Sequence, residues 1–150
     1  MPSKQTRQRA LRDKRQGKAP STQAGEFVRE EIHHVRQGKH GARSTKQAIA
    51  IGLSKARRAG VKLRPPAPGR TSAATRSRAE RDYAKGRSVG SPHTSARRSR
   101  ATSRVLGREA HAAASHQALA RHARRASKRR SASSRSAAAK KAARTRARHG

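Results

Sequence analysis

Two stretches of this chain carry a helical rhythm of apolar positions. Between residues 22 and 37, Ala24, Val28, Ile32 and Val35 recur at i, i+4, i+8 and i+11, with Phe27 beside the stripe. That spacing predicts an amphipathic helix. Ser21 or Thr22 offers an N-cap oxygen, and Glu26 places negative charge in the first turn, where the helix dipole favours it. Gly38 stands where a helix ends in the left-handed conformation. Between residues 45 and 59, Ile49, Leu53 and Ala56 form a second stripe flanked by Ala48 and Gly52. Ser44-Thr45-Lys46-Gln47 fits the S-x-x-Q capping box, in which two side chains satisfy each other's backbone N–H groups. Gly60 fits the residue after the C-cap, and Val61 follows where it can touch Ala56, as a Schellman motif requires. The connection Gly38-Lys39-His40-Gly41-Ala42-Arg43 is short enough for the two helices to fold back as an αα-hairpin.

Beyond the hairpin the pattern weakens. A segment from about 104 to 128 is Ala-rich, and Ala is the best helix former, but its only large apolar anchors are Val105, Leu106 and Leu119. Arg121 with Arg125, and Arg125 with Arg129, repel at i, i+4. Partial helix until phosphates neutralise those arginines is the expectation there. Phe27 and Tyr83 are the only aromatic residues, and Trp is absent. So few large apolar side chains do not offset the conformational entropy of a chain this long. The expected fold is therefore mostly disordered with a small all-α core: a two-helix hairpin (about 22–37 and 45–59) and an Ala-rich tail helix (about 104–128). The organisation reads as a basic disordered arm (1–20), an α-hairpin module (21–63), a Pro-rich linker (64–69) and an Arg/Ala/Ser-rich low-complexity basic tail (70–150). In the linker, Arg64-Pro65-Pro66-Ala67-Pro68-Gly69 cannot continue a helix and reads as a stiff spacer.

Charge turns this outline toward function. The chain holds 40 Lys and Arg against 7 Asp and Glu, a formal net charge of +33. Residues 1–20 contribute +6, residues 21–69 +7 and residues 70–150 +20. An excess of this size calls for an external polyanion, and binding a phosphate backbone releases condensed counterions whatever the base sequence. Other classes recede. Cysteine is absent, which excludes disulfides, thiolate metal sites and cysteine nucleophiles and fits a reducing interior. No apolar run of about 18 residues exists, so no membrane span is expected. The basic N-terminus lacks the apolar stretch of a secretory signal, and a cytoplasmic location is expected.

There is no G-x-S-x-G, Walker A or GxGxxG motif, so no catalytic residue and no cofactor are expected, and the chain does not read as an enzyme. Glu26, Glu30 and Glu31 read as internal partners for arginine. Glu30 and His34 share the i, i+4 spacing that can hold a metal ion, with His33 and His40 nearby. Without HExxH and without an evident fourth ligand, these histidines read as a polar helix face near phosphate, and no metal site is expected.

The candidate nucleic-acid-binding residues are the basic ones. Around the second helix they are Arg43, Lys46, Lys55, Arg57 and Arg58. In the tail they are Arg97, Arg98, Arg100, Arg121, Arg124, Arg125, Lys128, Arg129, Arg130, Lys140, Lys141, Arg144, Arg146 and Arg148. Arg outnumbers Lys 29 to 11, and guanidinium forks phosphate bidentately. Asn is absent and Gln47 is expected in the cap, so few side chains suit base reading, and phosphate contact is favoured over sequence readout. The near absence of aromatics disfavours single-strand stacking and the RNA readers built on it. The expected partner is nucleic acid, with duplex DNA favoured over RNA, and a homodimer through the hairpin is a second expectation.

The string APSTQAGEFVREEIHHVRQGKHGARSTKQAIAIGLSKARRAGVKL, Ala19 to Leu63, resembles a family of small, functionally uncharacterised bacterial proteins with basic, low-complexity flanks. The resemblance covers about a third of the chain and implies a bacterial source. Members are often labelled DNA-binding on composition. The tail resembles the basic tails of linker histones and bacterial histone-like proteins, with Arg and Ser where those prefer Lys, Ala and Pro. The expected function is sequence-nonspecific nucleic-acid binding by a nucleoid-associated, histone-like protein that neutralises phosphate. The alternatives are an RNA- or ribosome-associated basic protein, or an adaptor whose hairpin binds a protein partner.

Overall fold

The computed structural model describes residues 1–88 and 95–149, so residues 89–94 and 150 of the tail lie outside it. Its helices are α1 (Lys4–Arg15), α2 (Pro20–Arg36), α3 (Thr45–Arg58), α4 (Ala73–Lys85), α5 (Ala96–Gly107), α6 (His116–Lys128) and α7 (Ala132–His149), with a 3-10 turn at Ala112–Ala114. No strand occurs among the described residues. The chain divides into two compact units, Met1–Ser115 and His116–Gly150. The expectation of a mostly disordered chain built around a two-helix hairpin is thus overturned: helices run through the arm and the tail as well, and α2 and α3 are the middle of a larger helical unit.

The arm folds because its inner face is made of small and polar residues. Thr6, Ala10 and Asp13, at i, i+4 and i+7, are the buried positions of α1. Only Ala10 among them is apolar, so the helical period is nearly invisible to a hydrophobicity reading. Ser3 caps the helix, its Oγ accepting the Thr6 N–H at 3.1 Å. Lys18 N–H returns to the Asp13 carbonyl at 2.9 Å, the outer bond of a Schellman motif.

α2 begins earlier than its pattern suggests. Its N-cap is Ala19, no side chain caps it, and Pro20 occupies the first turn. Neither Ser21 nor Thr22 is the cap; Pro20 takes the first helical position, where its fixed φ suits the helix and a missing N–H costs nothing. The C-terminus is as expected: Gly38 has φ +71°, and Lys39 N–H donates to the His34 carbonyl at 3.1 Å.

α3 carries both of its expected termini. Ser44 Oγ accepts the Gln47 N–H at 3.2 Å. Gln47 Oε1 accepts the Arg43 N–H at 2.7 Å, one residue before the cap, in a shifted version of the box. Gly60 has φ +89°, and Val61 N–H reaches the Ala56 carbonyl at 3.1 Å.

In the first unit α2 packs between α1 and α3, and α4 packs on α3. α2 and α3 cross where Gly52 faces Val28: a methyl group at Gly52 would lie 2.7 Å from Val28 Cα, so the two backbones meet without room for a side chain. The core is correspondingly fine-grained. Ala10, Ala24, Phe27, Ala56 and Val61 form its buried cluster, with Leu53 and Leu63 packed at the edge. Close approach through Ala and Gly gives many dispersion contacts per residue from little side-chain volume. That is why a chain poor in large apolar residues still packs.

The predicted helix at 104–128 is also corrected. It is interrupted between Gly107 and His116. The interrupted segment lies across the α2–α3 connection, and its carbonyls are used there. Leu106 O accepts from Gly41 N at 2.8 Å and Ala110 O from Ala42 N at 3.0 Å. Ala113 O accepts from Thr45 Oγ1 at 2.6 Å, and Ala114 O from Arg36 Nε at 2.7 Å. Gly41 is required there, because a Cβ would fall 1.7 Å from the Glu109 carbonyl oxygen. In the second unit α6 and α7 rest on alanine propensity. Near the start of α7, Ser131 Oγ accepts the Ser134 N–H at 3.2 Å. No helix among the described residues is long and apolar enough to cross a membrane.

Candidate nucleic-acid interface

The carboxylates decide which cations remain for a partner. Asp13 pairs with Lys18 at 2.8 Å. Glu26 pairs with Arg9 at 2.6 Å and with Arg29 at 3.4 Å. Asp82 accepts from Ser54 Oγ at 2.6 Å and pairs with Arg58 at 2.7 Å, fixing α4 against α3. Glu80 pairs with Arg76 at 2.8 Å within α4. Glu31, fully buried, takes Lys55 Nζ on Oε2.

These pairs sort the candidates around α3. Lys55 serves Glu31 and Arg58 serves Asp82. Arg57 is buried and donates from Nε to the Leu63 carbonyl at 3.2 Å, tying the exit segment to the helix. Burial draws the Arg57 pKa below its ordinary value, and Asp82 opposes that shift. Arg43 and Lys46, at the start of α3, are exposed.

All the tail candidates stand in solvent: Arg97, Arg98 and Arg100 on α5; Arg121, Arg124, Arg125 and Lys128 on α6; Arg129 and Arg130 between helices; Lys140, Lys141, Arg144, Arg146 and Arg148 on α7. The α6 helix brings four of them together. Arg121, Arg124, Arg125 and Lys128 follow i, i+3, i+4 and i+7, one face of one helix. At 1.5 Å per residue the stripe is about 10 Å long, one cation per roughly 3.5 Å, close to the axial spacing of phosphates on one DNA strand. Ala118, Leu119 and His122 are the less exposed positions of α6. On α7, Lys140, Arg144 and Arg148 repeat at i, i+4 and i+8.

The second unit contains 12 Lys and Arg and no Asp or Glu. None of its cations has a carboxylate side chain of its own unit to pair with. Hydrogen bonds from tail guanidinium groups are local, as from Arg130 Nε to Ser134 Oγ at 3.3 Å. The first unit differs, since every acidic residue of the chain lies there. Its exposed cations on α1, Lys4, Arg7, Arg12, Lys14 and Arg15, were not among the sequence candidates; the signal that would have found them is the Thr6/Ala10/Asp13 period that turns them outward.

Neither aromatic ring is placed for base stacking. Phe27 is in the core, 1% exposed, and Arg87 sits over the Tyr83 ring at 5.6 Å.

A second cluster lies at the C-terminal end of α2. Glu31, His34 and His40 bring their ligand atoms within 4.8 Å of one another. His40 Nε2 is 3.2 Å from Glu31 Oε1, and the His34 and His40 rings meet edge to face at 6.3 Å. Glu30 Oε1 accepts the Ser3 N–H at 2.8 Å and lies 4.0 Å from His34 Nε2. Burial pushes the Glu30 carboxyl up, but the Ser3 hydrogen bonds, His34 and Lys55 together hold it below its usual range. Burial, then Lys39 and Lys55, lower the His34 pKa against the opposing pull of Glu30 and Glu31.

Residues 15–67 match the model of a family described as a family of unknown function (DUF6496). The matched stretch covers α2, α3 and the cluster just described, and it includes the Ala19–Leu63 string. Comparison with curated proteins and with solved structures found no match.

Proposed function

We propose that the chain binds nucleic acid without sequence preference, through phosphate contacts made chiefly by its second unit. The observation that carries this reading is the second unit's twelve Lys and Arg with no acidic residue, four of them aligned on one face of α6. Such a surface is self-repelling until a polyanion meets it, and counterion release supplies the driving force. In the first unit, carboxylates already neutralise Arg9, Lys18, Lys55 and Arg58, so it contributes less charge per residue and holds the structured body.

Duplex DNA is the favoured ligand. A rigid helix with cations along one face fits the wide major groove of B-form DNA or tracks its backbone, whereas the A-form major groove is too narrow for it. With Phe27 buried and Tyr83 under Arg87, single-strand stacking has no platform. A histone-like, nucleoid-associated role in the cytoplasm follows from this reading. The homodimer has little to support it, since Ala24, Phe27, Ile32 and Val35 of the α2 stripe are all buried within the unit.

Competition between duplex DNA and duplex RNA of matched length tests the choice of ligand. DNA is expected to displace RNA at severalfold lower concentration. Equal competition, or a preference for RNA, would move the chain to the RNA- or ribosome-associated alternative.

A further inference from the structure

We infer that Glu31, His34 and His40 form a binding site for a divalent first-row transition ion of the zinc class. Two observations, independent of each other, point to it. The first is the donor set. One carboxylate and two imidazoles converge with their ligand atoms within 4.8 Å, a two-histidine, one-carboxylate combination suited to Zn²⁺ and its neighbours, with remaining positions open to water. The second is an unmet need. Glu31 is 0% exposed, and its Oε1 accepts no well-formed hydrogen bond, with His40 Nε2 facing it at 3.2 Å. A buried carboxylate oxygen that accepts no well-formed hydrogen bond costs free energy, and an ion held between it and His40 Nε2 would satisfy it.

The spacing also fits. Two donors about 2.0–2.1 Å from a tetrahedral ion lie roughly 3.3 Å apart, and His40 Nε2 is 3.2 Å from Glu31 Oε1. His34 completes the set from the next turn of α2, at i+3 from Glu31, so a small rotamer change closes the triangle.

Lys39 opposes a cation at His34, and Lys55 opposes one at Glu31. The Lys55 ammonium is held on the other oxygen, Oε2, so Glu31 bridges Lys55 on one side and the ion on the other. Glu30 adds a second carboxylate near His34, and its Oε2 is also without a hydrogen bond. Glu30 and Glu31 thus set two carboxylates against the two ammonium groups, Lys55 and Lys39.

The ion would pin His40, in the α2–α3 connection, to the last turns of α2. The same connection carries Gly41 and Ala42, which hold residues 106 and 110. Metal binding would therefore lock the loop that organises the first unit, where the apolar core is small.

The test uses the whole untagged chain, stripped of metal, with Co²⁺ and Zn²⁺ as probes. Titration with Co²⁺ is expected to give visible ligand-field bands that saturate at one equivalent and are displaced by Zn²⁺. Zn²⁺ is expected to shift the imidazole NMR signals of His34 and His40 while leaving His33 in place. In His34→Asn and His40→Asn, Co²⁺ affinity is expected to fall by at least about tenfold, and His33→Asn should bind as the wild type does. Absence of the bands in the wild-type chain, or bands unchanged in both variants, would overturn the site. The wild-type spectrum and NMR shifts decide the matter even where a variant fails to fold.

Discussion

Replacing Arg121, Arg124, Arg125 and Lys128 together with glutamine is expected to flatten the salt dependence of DNA binding by about 3 to 4 units of log Kd per log salt, since each neutralised phosphate contributes about 0.9. Unfolding of α6 would not be the cause. Glutamine is a good helix former, and the change removes like-charge repulsion between Arg121 and Arg125 and between Arg124 and Lys128. Circular dichroism should show equal or greater helicity in the variant. The matched control replaces Lys4, Arg7, Lys14 and Arg15 on α1, equally exposed but in the unit that holds all seven acidic residues. Its slope should change less than that of the α6 variant. An α1 effect as large as the α6 effect would show that the cations act as one undivided cloud, with no special place for the second unit.

The second large effect concerns stability. Glu31→Ala is expected to destabilise the first unit by about 3 kcal/mol, the low end of the range for breaking a buried ion pair. The low end applies because the Lys55 side chain keeps 24% of its surface exposed and partly recovers its hydration. The double variant Glu31→Ala/Lys55→Met should regain much of the loss, because no uncompensated charge then remains. Urea denaturation with a chelator present checks both. A single variant within about 0.5 kcal/mol of the wild type, the range of ordinary surface changes, would mean that Glu31 does not anchor the α2–α3 contact.

What could be read from the chain depended on how each element declares itself. α3 announced its cap and its Schellman end in residue types that have few other uses, and both appear in the structure; its buried face is Thr45, Ala48, Gly52 and Ala56, while Ile49 and Leu53 of the expected stripe are half-buried. α2 was legible as a helix but not at its start: Ser21 and Thr22 looked like caps, while Pro20 at the first helical position was the stronger signal. α1 was missed because its buried face is Thr6, Ala10 and Asp13, a face covered by α2, with Ala10 packed in the cluster that holds Ala24 and Phe27. Here Glu26 and Glu30 reach back to Arg9 and to the Ser3 amide. The break at 108–115 follows from contacts with residues 36–45, separated by as many as 78 positions, and no local pattern reports such pairs.

The candidate residues divide along the same line. The candidate cations of the second unit stand exposed, with no acidic side chain in that unit to hold them, and so they look the same along the chain as in the fold. Lys55, Arg57 and Arg58 looked equivalent to Arg43 and Lys46 along the chain; only the fold shows them directed to Glu31, to the Leu63 carbonyl and to Asp82. Along the chain, Glu30 and His34 are the pair that shares a helix face. The group that converges is Glu31 with His34 and His40, and His40 comes from the connection, where helical spacing has no meaning.

Binding of nucleic acid through phosphate, and not through base sequence, is what we propose for this protein. The measurement that tests it most directly is the affinity of the whole chain for two duplex DNAs of unrelated sequence across a salt series. Linear plots of log Kd against log salt are expected, steeper than about 5 in magnitude, as several phosphate contacts require, with the two lines superimposed. A slope near zero, or lines separated by more than about tenfold, the low end for even a couple of specific base contacts, would contradict the proposal.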